Sequence, residues 1–512
     1  MDCRSLIRRS AAFFAERTAV IHGERRLTFN QAWQRGLRFA NALLARGLRP
    51  GDRVAVLEDN SVEAADFFLG TTAANLVRVP LYPRNSRAAH RYMLEHTGCR
   101  ALVVSGRYAA DVEPLRGEVA SLEHLIVRDE GYERWLAGYP DSDPAVPVMP
   151  EDNTIIRHTG GTTGMPKGVA YTHKAWLAAG RDWFYLFPPV MPGDRCLHLG
   201  PISHGSGYFF VPMWLAGGCN VLLDQFEPTN ALEVMQTEKI AYMFLVPTML
   251  NMLNQAAASG TREFPHLKCM QIGGAPITDA TALGARAVFG DRLWQGYGQT
   301  EAVPITMMGP QQWFAEVEGS EPLRACGMPL PFADLEIWDE NNTPLPTGEA
   351  GQIVVRCDGQ MSGFWEDPEA TRARLSDGWV LSGDVGRVDA NGYVYMLDRA
   401  GDMIISGGYN IYPAELENVL TSHPGVIEAA VFGVPDARWG ESPTAVCTVD
   451  GNTPVSEEAL IELCVNRLGS YKKPGRVVLQ KEPLPKSPVG KIRRKALREP
   501  YWEGRDRRVG GS

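Results

Sequence analysis

Over roughly the first 300 residues, short apolar runs trade places with stretches whose apolar residues recur at helical spacing. RVAVLE (53–58), VRVPLY (77–82), ALVVS (101–105), TIIRHT (154–159), RCLHLG (195–200), NVLL (220–223), AYMFLV (241–246) and CMQIGG (269–274) read as strands. Alternation of this kind predicts an α/β fold with parallel sheets and helices on both faces. So many strands predict two stacked sheets or sub-domains. From about residue 320 the rhythm changes. LEIWDENNTPLPTGEAGQIVVRC and GRVDANGYVYMLDR place turn residues between alternating strands, the pattern of hairpins and hence of a small antiparallel unit. After DRAGD (398–402) a smaller α+β piece begins. Its stretch YPAELENVL puts Pro413 at a first helical position and Leu416, Val419 and Leu420 on one face.

A chain of 512 residues exceeds a single hydrophobic core, so at least two domains are expected. Composition, 44% apolar and 22% charged, is that of a globular protein, and the net charge of −9 argues against bulk binding of nucleic acid. No apolar run has the length of a membrane span; the best candidate, Phe209 to Leu223, is broken by Pro212 and a glycine pair. The opening MDCRSLIRRS has no apolar signal core, and the nine cysteines contain no Cys-x-x-Cys pair. Reduced thiols in a cytoplasmic protein are the expectation. Arg467 to Arg508 carries fourteen Lys and Arg against four Asp and Glu, either a solvated face or a patch for a polyphosphate.

The chemistry concentrates in glycine-rich segments. TGGTTGMPKG (159–168) holds four glycines and three threonines, which no strand or helix interior favours. Following a strand, its amides can face an anion, although a plain surface loop has the same composition. A Walker loop is excluded because Pro166 precedes Lys167; the other Gly-Lys, at 490–491, has Pro485 where a glycine is required. GYGQTE (296–301) begins like a dinucleotide fingerprint but has Glu301 in place of the third glycine. GxSxG and HExxH are absent from the sequence.

TGGTTGMPKGVAYTH (159–173), GYGQTE (296–301), GWVLSGDVG (378–386), DRAGDMIISGGYNIYPAELE (398–417) and PKSPVGKIRRK (485–495) occur in this order. The series resembles that of the adenylate-forming superfamily over nearly the whole chain, in particular its acyl- and aryl-CoA ligases. The resemblance implies an N-terminal AMP-binding domain at 1–399, a hinge at 400–402 and a mobile C-terminal domain at 403–512. It implies ATP, CoA and a carboxylic acid as substrates, with Mg2+ as cofactor. Thr159, Gly160, Gly161, Thr162, Thr163, Gly164 and Lys167 would grip the β- and γ-phosphates. The family's usual loop has serine at the position of Gly160, a change expected to tune ATP binding without abolishing it. Within Gly296, Tyr297, Gly298, Gln299, Thr300 and Glu301, the resemblance gives Thr300 to the α-phosphate and Glu301 to the metal. Tyr297 would lie against adenine, with Gly273, Gly274, Ala275 and Pro276 on the other side. Asp384 would accept the ribose hydroxyls, reinforced by Arg399; a carboxylate suits a diol because it accepts two donors at once. Lys491 would bridge the attacking carboxylate and the α-phosphate.

For the second half-reaction the resemblance makes Asp402 the hinge residue. It brings Gly407 and Gly408 to the pantetheine arm, Trp439 beside it, and Tyr471, Lys472, Lys473 and Arg476 near the nucleotide end of CoA. His204 in PISHGSGY would gate the acyl site, lined further by Gly205, Tyr208, Val246, Gly273, Val303 and Cys326. These side chains include no Lys or Arg, so a fatty or aromatic acid is expected and a dicarboxylate such as malonate is disfavoured. Two alternatives remain: an enzyme that loads a carrier protein, and a non-catalytic nucleotide-binding relative.

Overall fold

The computed structural model describes residues 1–503 except 84, 160–165, 204, 258–261, 276, 400–401, 407–408, 437–438 and 487–491; for 398, 399, 405, 409, 410, 440 and 471 it describes the backbone alone. Two large sheets dominate. The nine-stranded sheet runs, from one edge, Met328–Pro329, Ala302–Met308, Leu293–Gln299, Cys269–Gly273, Ile240–Leu245, Arg195–His198, Cys219–Leu222, Thr18–His22 and Arg25–Thr28. Its interior is parallel and both edges are antiparallel. The seven-stranded sheet runs Gly363–Phe364, Lys167–Thr172, Asn153–Thr159, Val77–Pro80, Arg53–Leu57, Ala101–Ser105 and His124–Arg128. Four of these strands continue in parallel from Asn153–Thr159, and the other two pair antiparallel.

The antiparallel edges depart from the uniformly parallel expectation for a topological reason. Parallel neighbours need a crossover of a dozen or more residues, whereas a short connection forces a hairpin. The glycine loop joins Asn153–Thr159 to Lys167–Thr172, and Thr300-Glu301 joins Leu293–Gln299 to Ala302–Met308; neither link has room for a crossover. Both motifs therefore sit on hairpins.

Between the sheets lies the helix Val62–Ala73, whose residues are buried nearly all round, as a helix apolar on every side requires. It packs on the helix Phe29–Ala45, which starts with a Thr28–Gln31 capping box. Glycines let the two helices approach: a Cβ on Gly70 would lie 2.7 Å from the Gly36 carbonyl oxygen. Phe67 and Phe68 tie this layer to Val54 and Ile155 of one sheet and Cys196 and Leu222 of the other.

The predicted hairpins form a third, antiparallel sheet. Ala333–Trp338 pairs with Gly351–Cys357, which pairs with Trp379–Val388, which pairs with Val394–Arg399. A fourth sheet holds Ile404–Ser406, Tyr409–Ile411, Gly440–Val449, Val426–Asp436 and Arg476–Gln480 around a core of its own. There the helix Pro413–Thr421 buries Leu416, Val419 and Leu420, the face its spacing predicts. Among the described residues no helix is long and apolar enough to cross a membrane.

Candidate functional site

The hairpin turn at Thr300-Glu301 is the centre of the site. Thr300 is fixed through its carbonyl, which accepts the Tyr171 hydroxyl at 2.8 Å. The Glu301 carbonyl accepts the Met361 amide at 2.8 Å, and its carboxylate is only 10% exposed. The nearest described cation to that carboxylate is Arg374, 3.8 Å away, too far for a hydrogen bond. Among the described residues Glu301 is thus a largely buried oxygen ligand with no tight partner.

Beside this turn the antiparallel sheet delivers Asp384, 2% exposed. Its Oδ2 accepts the Tyr297 hydroxyl at 2.7 Å and also the Gln299 side-chain amide. Gln299 donates to the Ser382 carbonyl as well, at 2.9 Å, and the Ser382 hydroxyl accepts the Asp384 amide at 3.0 Å. Arg399 stands opposite Asp384 in the ladder; its side chain lies outside the described residues. Burial, and then the Asp384 carboxylate, push the Tyr297 hydroxyl well above the ordinary phenol range, so it stays a donor. Tyr297 is only 7% exposed, and its ring packs with Ala302, Ile305 and Cys326.

Glycines bring the strands of the site together. Gly273 pairs with Gly296, and a Cβ on Gly273 would lie 2.9 Å from the Gly296 carbonyl oxygen. Gly274 has φ +84°, left-handed backbone that turns the chain away from the strand end. Ala275 is half-buried after it, and a Cβ on Gly298 would lie 2.8 Å from Val303 Cγ2. Lys167 opens its strand exposed, 5.2 Å from the Phe364 ring. Thr159 closes the preceding strand; Gly160 to Gly164 and Pro276 lie outside the described residues.

Around the expected acyl pocket, the flanks of His204 are described and His204 itself is not. Asn60 donates to the carbonyls of His198 and Gly200 and accepts the Ile202 amide, pinning the segment that leads in. The Ser206 hydroxyl bonds His198, which bonds Asn220, and burial lowers His198 to about 4. A side chain on Gly207 would collide with the Ile202 carbonyl oxygen, which enforces the sharp return. Phe244, missed in the sequence, joins the lining residues: a Cβ on Gly205 would lie 3.4 Å from its ring and one on Gly273 3.7 Å. Val246 flanks Gly274, and Trp183 bridges Tyr208 to Phe244 with centroids 6.2 Å from each. Cys326 packs with Tyr297 instead, its thiol pushed up to about 12 by burial. Arg157, buried on Asn153–Thr159, lies 4.7 Å over the ring of Tyr208, one of the expected lining residues. In the sequence, its one signal was an arginine inside the apolar run TIIRHT.

Of the remaining expected residues, Asp402 makes ion pairs with Arg494 at 3.6 Å and Arg498 at 3.7 Å, both from the helix Arg494–Trp502. Trp439 is 47% exposed. Lys472 is held by Glu415 at 2.6 Å, while Lys473 and Arg476 are exposed. Tyr471 lies in the turn Ser470–Lys472 with its side chain undescribed; Gly407, Gly408 and Lys491 lie outside the described residues.

Comparison with known proteins agrees with this geometry. The family model described as AMP-binding enzyme matches residues 7–365, and that described as AMP-binding enzyme C-terminal domain matches 415–491. The chain is 33% identical over 480 residues to a long-chain-fatty-acid–CoA ligase of Mycobacterium tuberculosis, covering 93% of each. It is 33% identical over 501 residues to a fatty acid–[acyl-carrier-protein] ligase of Streptomyces coeruleorubidus, covering 96% of this chain and 95% of that one. Among solved structures, ATP-bound MatB from Rhodopseudomonas palustris superimposes with a TM-score of 0.89 at 28% identity, covering 98% of this chain and 99% of the other. The chain belongs to the AMP-binding, adenylate-forming enzyme family and to its acyl-CoA ligase branch.

Proposed function

We propose that the protein condenses a fatty or aromatic carboxylic acid with ATP to an acyl-adenylate and then transfers the acyl group to the thiol of CoA. In the first half-reaction a carboxylate oxygen attacks the α-phosphorus and the bond to pyrophosphate breaks. In the second, the CoA sulfur takes the acyl carbon and AMP leaves. The juxtaposition of the buried Thr300-Glu301 turn with the Asp384, Tyr297 and Gln299 cluster is the observation that carries this reading. Both substrates are anions, so their union needs donors and positive charge more than a base.

In this assignment Thr300 donates to the α-phosphate, and Asp384 takes the ribose hydroxyls in the setting fixed by Tyr297, Gln299 and Ser382. The Tyr297 ring, oriented by its bond to Asp384, forms one wall for adenine, with Gly273 to Pro276 as the other. Thr159 to Gly164 and Lys167 take the terminal phosphates. Glu301 fits magnesium: Mg2+ is held through one or two carboxylates together with substrate phosphates, and Glu301 is a buried carboxylate without a tight partner among the described residues. The metal would supply neutralising charge to the phosphates. Residues 1–399 act as the adenylation domain, 400–402 as the hinge and 403–512 as the mobile part that carries Lys491. For CoA we assign Gly407, Gly408, Trp439, Tyr471, Lys473 and Arg476; Lys472 must leave Glu415 to join them. His204 gates the acid. The reading puts the protein in the cytoplasm, which suits its nine free cysteines.

Incubation with ATP, magnesium, hydroxylamine and a panel of acids tests the reading: the right acids yield hydroxamate, and a panel with no product at any length overturns it. A second reading, acyl transfer to a carrier protein, is favoured by the likeness to the Streptomyces ligase. Thioester formation with free CoA separates the two. Glu301→Gln keeps the side chain's shape and removes its charge. Losing one charged ligand costs at least about 1.4 kcal/mol, so the magnesium needed for half-maximal adenylation is expected to rise about tenfold or more. An unchanged magnesium titration would remove Glu301 from the metal.

A further inference from the structure

Among the described residues, two arginines buried inside the large domain have no ion-pair partner. Arg78 is on Val77–Pro80 and Arg157 on Asn153–Thr159, adjacent parallel strands in which Arg78 stands opposite Ile155. Arg157, two residues beyond Ile155, points to the same face. They are 3% and 6% exposed, and among the described residues neither has a carboxylate within ion-pair distance. Among the described residues, Nε and Nη1 of Arg78 and Nε of Arg157 are buried without a hydrogen-bond partner, and the buried Tyr208 hydroxyl has none besides the Arg157 guanidinium.

Aromatic rings are what surround these cations. Arg78 lies 3.7 Å above the Phe68 ring and 5.7 Å from Trp176; Trp176 stacks on Tyr208 at 4.8 Å, and Arg157 covers Tyr208 at 4.7 Å. Such contacts recover only part of the hydration a buried ion gives up, and two cations side by side also repel. Arg78 opens on a narrow cleft shared with Ile202 and Ser203, the residues just before His204. Glu58 lines that cleft too, but its ion pair is with Arg128. Tyr208, in turn, belongs to the aromatic wall with Trp183 and Phe244 beside Gly205 and Gly273.

We propose that Arg157, supported by Arg78 and the Tyr208 hydroxyl, forms an anion subsite at the inner end of the acyl pocket, and that the acid this enzyme activates carries a second carboxylate there. The inference rests on the acid-ligase reading and sharpens it. The body of the acid lies along apolar walls while its inner end meets two guanidinium groups. An Arg–carboxylate pair formed in so dry a site discriminates strongly, because without the second carboxylate the guanidinium donors stay unpaired.

The test compares ATP–pyrophosphate exchange for aliphatic and aromatic dicarboxylic acids with monocarboxylic acids of matched length, in the wild type, Arg157→Met, Arg157→Lys and Arg78→Met. The wild type is expected to favour a dicarboxylate over its monocarboxylate partner by about 10²-fold or more in kcat/KM. Arg157→Met should collapse that ratio, Arg157→Lys should keep part of it, and Arg78→Met should lower it less. The thermal midpoint of Arg157→Met should hold or rise, since an unpaired buried charge has been removed. Preference for monocarboxylates, or a ratio unmoved by Arg157→Met, overturns the subsite while leaving the ligase reading intact. An equal rise in the Michaelis constant for ATP with every acid also overturns it, because the arginine would then serve the nucleotide. If no acid of either series supports exchange, the ligase reading falls and the subsite with it.

Discussion

Lys491→Ala is expected to slow acyl-adenylate formation by about 10²- to 10³-fold or more while leaving the Michaelis constant for ATP nearly unchanged. The described residues on either side of this lysine are paired: Lys486 bridges Ile492 and is paired with Glu428, and Leu484 is buried. In the proposed assignment the small domain delivers the ammonium, whereas the groups assigned to ATP stand on the large one. An ammonium has three donors on a flexible stem and can span two oxygens. Where those oxygens belong to the attacking carboxylate and the α-phosphate, the bridge strengthens as charge moves between them, so its loss appears in the rate and not in binding. Supplying synthetic acyl-adenylate and CoA isolates the second step, which should proceed in the variant. Loss of both steps together, or normal adenylation, would take this role from Lys491.

The second large effect concerns Asp402. Asp402→Pro should leave adenylation largely intact and reduce thioester formation from preformed acyl-adenylate by about 10²-fold or more. Proline fixes φ near −65°, so a joint that must adopt two backbone conformations is held in one. The aspartate is tied by its ion pairs to Arg494 and Arg498 on the chain's last described helix. Removing the side chain alone is a separate change. Asp402→Asn weakens those pairs and keeps the backbone free, so both half-reactions should stay within a fewfold of wild type. If Asp402→Asn splits the half-reactions as Asp402→Pro does, the ion pairs and not the backbone carry the effect.

Much of this architecture was legible because its signals are local. The strands RVAVLE, ALVVS and CMQIGG and the buried face of YPAELENVL follow from period and turn chemistry alone. Glu301 and Asp384 lie within motifs whose order is itself informative. What escaped depends on pairing between distant segments. AVPITMM has the same apolar pattern whether its strand runs parallel or antiparallel to GYGQ, so the hairpin at Thr300-Glu301 appears only once the sheet is assembled. Arg374 comes near Glu301 from a stretch, TRARL, that reads as an ordinary solvated helix end. Arg157 shows the limit most clearly. Its strand was foreseen, but its environment is made by Tyr208, with Trp176 stacked on it, from two other elements, and no window of sequence contains them all. The reasoning that disfavoured a dicarboxylate counted only residues in the pocket's own motifs.

The most direct test of the account is to resolve the nucleotide products of ATP turnover when the acid selected by the hydroxamate panel and CoA are both supplied. The site predicts AMP and pyrophosphate in equal amounts, one thioester for each, and pyrophosphate exchange when CoA is withheld. ADP and inorganic phosphate as the main products would mean attack at the γ-phosphate, and would contradict the roles given to Thr300, Glu301 and Lys491.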